Sequence, residues 1–170
     1  MNFRVVFTKK GGLIMKHVLS VLVDNHPGVL RRVSGLFGRR GYNIDSLVVS
    51  ATENEEISRM TIVVFGDETV IDQVIKQLEK LIDVISVNDV TNKDTISKQL
   101  LLIKVRADVT NRIDIITLAE AFNARVVDIE AGSIIIEAAD DINRINNMIE
   151  TFKTYGILEL VKTGTVAMLK

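Results

Sequence analysis

The sequence predicts an α+β protein made of two tandem ferredoxin-like domains, each with the order βαββαβ. Two observations support this prediction. β-rich runs and amphipathic segments alternate in the same order twice along the 170 residues. The second helices of the two halves also match, because their apolar positions recur at a constant offset of 71. These positions are Ile71, Val74, Leu78 and Leu81 in the first half and Ile142, Ile145, Ile149 and Phe152 in the second.

The first half is predicted to run strand, helix, strand, strand, helix, strand. The turn-forming residues NHPG separate the first strand from a helix that carries one apolar stripe. Gly41 follows Arg39 and Arg40 and is expected to stop that helix, and Asp67 is expected to begin the second helix. The predicted strands are HVLSVLV, NIDSLVVSA, SRMTIVVFG and DVISVNDV.

The second half repeats this order after the polar stretch TNKDTISK. Its helices are predicted at about 111–122 and about 140–152, and its strands are QLLLIKVRA, ARVVDIE, SIIIEA and ILELVKTGTVAML. The chain therefore divides into a first domain over 15–92 and a second over 93–170. Residues 1–14 form an N-terminal extension whose order the sequence leaves open.

Composition argues against several classes of function. Lys and Arg number 21 against 22 Asp and Glu, so no overall positive charge attracts nucleic acid or an anionic membrane. Cysteine is absent, which excludes disulfides, thiolate metal sites and a cysteine nucleophile. No apolar run reaches the roughly 18 residues that a membrane span needs. We expect a soluble, cytoplasmic protein without nucleic-acid or membrane partners.

No catalytic or metal-binding constellation is recognisable. His17 and His26 are the only histidines, and neither lies in a metal-ligand or Ser-His-Asp spacing. The predicted central strands HVLSVLV and SRMTIVV carry no aromatic residue on which RNA bases stack. The glycines of GLFGRRG lie within and at the end of a helix rather than in a dinucleotide-binding turn. Gly35 and Gly38 are instead expected to allow close helix packing.

The loop NHPGVL, between the first strand and the first helix, is the best candidate for a ligand site. Unpaired backbone N–H groups at a helix N-terminus attract an anion. Pro27 stiffens the entry, Gly28 lets a ligand approach the backbone, and Val29 and Leu30 offer apolar contact. A small carboxylate with an apolar tail fits this combination.

Two asparagines lie near the ends of this segment. The Asn25 amide either accepts from a ligand ammonium group, caps the helix, or only organises the turn. Asn43, at the start of the second strand, is expected to reach a site beside it or across an interface. The residues alone leave these alternatives open.

LSVLVDNHPGVLRRVSGLFGRRGYNIDSL, followed by SRMTIVVFGDE, resembles the small regulatory subunits of acetolactate synthase (acetohydroxyacid synthase). The resemblance runs from about Met15 to the C-terminus and is looser over LLLIKVRAD and ARVVDIE. It implies an ACT domain followed by an ACT-like domain, a homodimer formed through the ACT sheets, and a role in branched-chain amino-acid synthesis. It also implies a large catalytic subunit as partner, which holds thiamine diphosphate, FAD and magnesium, and no cofactor in this chain.

In that family the feedback inhibitor, usually valine, binds at the ACT dimer interface. The motif match implies that its carboxylate accepts from backbone amides around Gly28 to Leu30, while two asparagines hold its ammonium group. The implied contacts are Asn25, Pro27, Gly28, Val29 and Leu30 from one subunit, and Asn43 and Ile44 from the facing subunit. Other members carry serine at the position of Pro27, and shorter members lack the 1–14 extension.

The first helix also carries arginines that are candidates for contact with the large subunit. They are Arg31, Arg32, Arg39 and Arg40. The simpler interpretation is a solvated face, with Arg39 and Arg40 complementing the helix dipole. Two other functions remain as alternatives at this point: a stand-alone amino-acid sensor, and an enzyme built on a ferredoxin-like fold.

Overall fold

A computed structural model of the chain describes residues 6–7 and 13–170. Of the extension predicted over 1–14, all but residues 6–7 and 13–14 lies outside the described part. The chain divides into two compact units, the first reaching Ile96 and also including Ala167–Lys170, the second spanning Ser97–Val166. No helix among the described residues is long and apolar enough to cross a membrane.

The first unit has the predicted βαββαβ order. Four antiparallel strands lie in the order β5-β2-β4-β3, and the short β1 pairs with the beginning of β2. This is the strand order of a ferredoxin-like sheet, which confirms the predicted fold. The elements are β1 (Val6–Phe7), β2 (Leu13–Asp24), α1 (Val29–Arg40), β3 (Ile44–Ala51), β4 (Ile57–Gly66), α2 (Glu68–Leu78) and β5 (Val84–Asp89).

Both helices of the first unit pack against one face of its sheet. Alternate residues of β2 and β4 point to that face, as the two-residue period of a strand requires. Their side chains form a single apolar core with the stripe of each helix. The buried core residues are Leu19, Val21, Val23, Val29, Val33, Leu36, Phe37, Met60, Ile62, Val64, Ile71, Val74 and Leu78.

The second unit repeats the arrangement with the order β9-β6-β8-β7. β10 also pairs with β6, although its residues after Val166 are grouped with the first unit. The core of the second unit includes Leu101, Ile103, Ile134, Ile136 and Phe152, all buried. The elements from Thr95 onward are β6 (Thr95–Arg106), α3 (Arg112–Ala121), β7 (Arg125–Ile129), β8 (Ser133–Asp140), α4 (Ile142–Phe152), a 3-10 turn (Lys153–Tyr155), β9 (Ile157–Lys162) and β10 (Val166–Leu169).

The segment ILELVKTGTVAML, expected to be one strand, forms two strands. The break falls at Thr163, whose hydroxyl accepts from the N–H of Leu100 at 3.0 Å and donates to the carbonyl of Gly164 at 2.9 Å. The side chain thus replaces a backbone acceptor, which interrupts the regular ladder.

The glycines of α1 do not have the role expected for them. A Cβ at Gly38 would meet nothing within 4 Å, and one at Gly35 would meet only the Arg39 guanidinium at 3.4 Å. The expectation of close helix packing was therefore wrong, because α1 packs through its apolar stripe instead. The predicted stop at Gly41 is confirmed, since that residue is left-handed with φ 70° and donates to the carbonyl of Gly38.

Gly38→Ala and Gly41→Ala should change stability in opposite directions. Alanine at the exposed helical position 38 should raise the free energy of unfolding by about 0.5–1 kcal/mol, because it reduces backbone entropy in the unfolded chain. Alanine at the left-handed position 41 should lower it by about 1–2 kcal/mol. Urea unfolding followed by circular dichroism measures both, and a loss of stability in Gly38→Ala would contradict the open surface described there.

Candidate functional site

The loop between β2 and α1 has a defined backbone shape. The N–H of Asn25 donates to the carbonyl of Glu56 at 2.7 Å, which ties the loop to the β3–β4 turn. The N–H of Val29 points to the carbonyl of His26 at 3.4 Å, and the N–H of Arg32 donates to the carbonyl of Gly28 at 3.0 Å. The chain therefore leaves β2 and enters α1 through a hydrogen-bonded turn.

Gly28 caps α1 in a conformation that favours glycine. Its φ of 95° is left-handed, and a Cβ there would lie 3.3 Å from Nη1 of Arg32. No described side chain caps this helix N-terminus. The N–H of Val29 has a long hydrogen bond to His26, whereas the N–H groups of Gly28 and Leu30 have no described acceptor and are left for water or for an anionic ligand.

The predicted contacts of this loop differ in their exposure. Val29 is buried in the core, so only its backbone faces the loop, whereas Leu30 is 46% exposed and offers its side chain. Pro27 is exposed at the entry. The Asn25 side chain does not cap the helix but donates from Nδ2 to the carbonyl of Glu55 at 2.7 Å. Its Oδ1 has no described donor.

The surroundings of Asn25 are acidic. Asp24, Glu55 and Glu56 line an open pocket together with Asn25 and His26. Carboxylates attract a cation, while the adjoining helix N-terminus attracts an anion. The loop therefore presents complementary environments for the two charged groups of an amino-acid zwitterion.

Asn43 and Ile44 lie at the opposite end of the sheet from this loop. Ile44 is beside Val64 of β4, whereas Asp24, which precedes Asn25, is beside Ile57 of the same strand. Seven residues of extended chain span roughly 23 Å at about 3.3 Å per residue. One small ligand cannot touch Asn25 and Asn43 of the same chain.

Asp83 lies in the turn after α2, and both its side chain and its backbone contact the β2–α1 loop and the start of α1. The sequence did not predict this role. Asp83 Oδ2 accepts from Arg32 Nε at 2.5 Å and its Oδ1 from Arg32 Nη2 at 2.9 Å. His26 Nε2 lies 3.1 Å from Oδ1, and the peptide oxygen of Asp83 accepts from the N–H of Asp24 at 2.9 Å. Only 5% of Asp83 is exposed. A single Asp in LIDVIS gives no sequence signal for this role.

Asp24, His26 and Asp83 form the only cluster of metal-ligating side chains among the described residues. Their ligand atoms lie within 4.8 Å of one another. Both oxygens of Asp83 are already engaged by the Arg32 guanidinium, so a cation would have to compete with a bidentate ion pair. The arrangement is explained by that ion pair without a metal.

The four arginines of α1 are not equivalent. Arg32 is held by Asp83, whereas Arg31, Arg39 and Arg40 are exposed and make no ion pair with described residues. Arg39 and Arg40 occupy the last turn, where cations complement the helix dipole. Three free cations therefore remain on the outer surface of α1.

The equivalent loop of the second unit is closed by its own carboxylate. Asp108 Oδ1 accepts from the N–H of Thr110 at 2.8 Å, from the Thr110 hydroxyl at 2.5 Å and from the N–H of Asn111 at 3.1 Å. The hydrogen bond from the Thr110 hydroxyl contributes most to lowering the pKa of Asp108 below its ordinary value, and the backbone hydrogen bonds lower it further. Asp108 thus closes the turn that precedes α3, and no side-chain cap hydrogen bond forms at the N-cap Asn111.

Asp83 should make stability depend on pH. The Arg32 hydrogen bond lowers the pKa of Asp83 in the folded protein, with smaller contributions from Arg32 and His26 charge. Its stabilising effect is therefore present above the ordinary carboxyl pKa of about 3.9 and is lost as the pH falls through the lower folded value. Between neutral pH and about pH 3, the free energy of unfolding should fall more steeply in the parent than in Asp83→Asn. Asp72→Asn, at an exposed position of α2, is the control, and equal slopes for parent and Asp83→Asn would contradict the prediction.

Comparisons with known proteins agree on one family. Residues 19–86 match the AHAS small subunit-like ACT domain, and residues 98–170 match the small subunit of acetolactate synthase family. The probable acetolactate synthase small subunit of Archaeoglobus fulgidus is 49% identical over 92% of this chain and 98% of its own length. That of Mycobacterium leprae is 46% identical over 89% of this chain and 90% of its own.

Solved structures give the same result. The crystal structure of the acetolactate synthase small subunit from Thermotoga maritima superposes with a TM-score of 0.84 at 35% identity, covering 91% of this chain and 97% of that one. The matches span both units, and they confirm the resemblance noted in the sequence. The chain belongs to the family of acetolactate synthase small subunits, whose members are ACT regulatory subunits rather than catalytic ones.

Proposed function

We propose that two copies of this chain bind a branched-chain amino acid, valine foremost, between their first units and so regulate a separate acetolactate synthase catalytic subunit. The observation that supports this most is the β2–α1 loop, where an uncapped helix N-terminus adjoins an acidic pocket. The N–H groups from Gly28 to Leu30 would receive the carboxylate, and Asn25 Oδ1 with its acidic neighbours would receive the ammonium group. Leu30 would contact the branched side chain.

The sheet register supports a site shared by two chains. β3 is at the edge of the sheet, with its outer edge unpaired among the described residues. If two β3 strands pair antiparallel about a twofold axis, the beginning of one lies beside the end of the other. The partner's Asn43 would then lie near the end of β3 at Ala51, toward the turn that contacts Asn25. This arrangement overcomes the separation of Asn25 and Asn43 within one chain.

The two units differ where their first helices begin. Neither α1 nor α3 has a side-chain cap hydrogen bond, but α1 begins at a left-handed glycine, whereas Asp108 closes the turn before α3. This difference favours an effector site in the first unit. In this proposal the catalytic cofactors thiamine diphosphate, FAD and magnesium belong to the partner subunit.

Asn25→Ala and Asn43→Ala should each weaken valine binding, because an unpaired ammonium group remains in the closed site. The expected cost is about 1–3 kcal/mol, or up to roughly a hundredfold in affinity. Calorimetric titration of valine, leucine and isoleucine measures this, with Asn147→Ala, at an exposed position of α4, as control. Parent-like affinity in both variants would refute the assignment.

Mixing the two variants tests whether the site is shared. A dimer of one Asn25→Ala chain and one Asn43→Ala chain has one intact site and one site that lacks both asparagines. Tight binding should therefore return at about half of the sites formed by the parent, whereas a site within one chain would give no recovery. Differently tagged chains purified as mixed dimers provide the sample.

The exposed arginines of α1 are our candidates for contact with the catalytic subunit. Reversing Arg31, Arg39 and Arg40 to Glu should reduce activation of that subunit, because the new glutamates would repel an acidic surface that the arginines attract. Arg32 is left unchanged because its ion pair belongs to the loop. Lys76→Glu, at an exposed position of α2, is the control. Unchanged activation by the triple variant in an acetolactate-formation assay would exclude this surface.

A further inference from the structure

Asp83 contacts the β2–α1 loop at three points along its length. The peptide oxygen accepts from the N–H of Asp24 at 2.9 Å, where the loop begins. Oδ1 lies 3.1 Å from His26 Nε2, in the middle of the loop. Both oxygens accept from Arg32, in the first turn of α1 where the loop ends. One nearly buried residue therefore joins the beginning, middle and end of the loop to the turn after α2.

Arg32 transmits this restraint to Gly28. Its guanidinium binds Asp83 in bidentate geometry, which fixes direction as well as distance. Its own N–H donates to the Gly28 carbonyl at 3.0 Å, and its Nη1 lies 3.3 Å from the place that a Gly28 Cβ would occupy. The left-handed Gly28, at the uncapped N-terminus of α1, thus lies beside a guanidinium that Asp83 holds in place.

We propose that Asp83 is a positioning residue of the amino-acid site: acting through Arg32 and His26, its carboxylate holds the β2–α1 loop in the shape that receives the ligand. This inference rests on the proposed function of that loop. Asp83 itself would not contact the ligand, because only 5% of it is exposed. Its effect is to reduce the ordering cost of binding, as preorganisation does generally.

Hydrogen exchange tests the positioning without any ligand. The amides of Asp24, Asn25 and Arg32 are hydrogen-bonded in this loop, so they should be protected in the parent. In Asp83→Asn the backbone acceptor remains but the charged carboxylate is lost, and exchange over residues 24–32 should become about tenfold faster. Asp140→Asn is a matched control, because Asp140 also binds two cations, Lys98 and Arg144, but in the second unit.

Valine calorimetry on the full chain then tests the effect on binding. Asp83→Asn and Arg32→Lys should each weaken valine binding by about tenfold, since lysine keeps the charge but not the bidentate fork. The double variant should bind valine no more weakly than the single variant with the lower affinity, because both substitutions break the same ion pair. Asp140→Asn should bind within about twofold of the parent. Thermal melts identify a temperature at which every variant is folded, so that affinity is compared between folded proteins only.

Each outcome decides a separate point. Unchanged exchange over 24–32 in Asp83→Asn overturns the positioning role, whatever the ligand does. Faster exchange with parent-like valine affinity, or additive losses in the double variant, overturns the claim that this ion pair prepares the site. If the loop loosens as expected but the parent binds none of valine, leucine and isoleucine, the proposed function fails while the restraint by Asp83 is upheld.

Discussion

The antiparallel pairing of β2 with β4 is the contact on which the rest of the first unit depends. It runs unbroken from Met15 opposite Gly66 to Asp24 opposite Ile57. A one-residue slip would turn every core side chain of β2 toward the other face, so the buried Leu19, Val21 and Val23 fix the register. The register in turn places the β2–α1 loop at one end of the sheet and the beginning of β3 at the other.

The two units share one topology but differ in the loop before their first helix. Each places a loop between its first strand and first helix. In the first unit a left-handed glycine begins the helix and no side chain caps it. In the second, the helix begins at Asn111, also without a side-chain cap, and Asp108 accepts from the amides of the turn before it. The difference lies in the loop residues, while the sheet order and the helix positions are the same.

The proposed site combines weak electrostatic preferences in a fixed arrangement. A helix N-terminus and a few carboxylates are common on protein surfaces and seldom bind anything by themselves. Their value here depends on their being adjacent, and the loop is kept in shape by hydrogen bonds to the β3–β4 turn and to the turn after α2. Regulation additionally requires that the ligand favour one state of the assembly over another.

The sequence by itself determined the fold class, the element order, the end of α1 at Gly41 and the loop that carries the candidate site, because periodicity, capping and turn chemistry are local properties. Its repeated motif also identified the family. Only the tertiary structure decided that Arg32 belongs to Asp83, that Val29 is buried, that Gly38 is open to solvent and that the last strand breaks at Thr163. These features depend on which side chains the folded chain brings together over long sequence separations, and no spacing within a single segment encodes that.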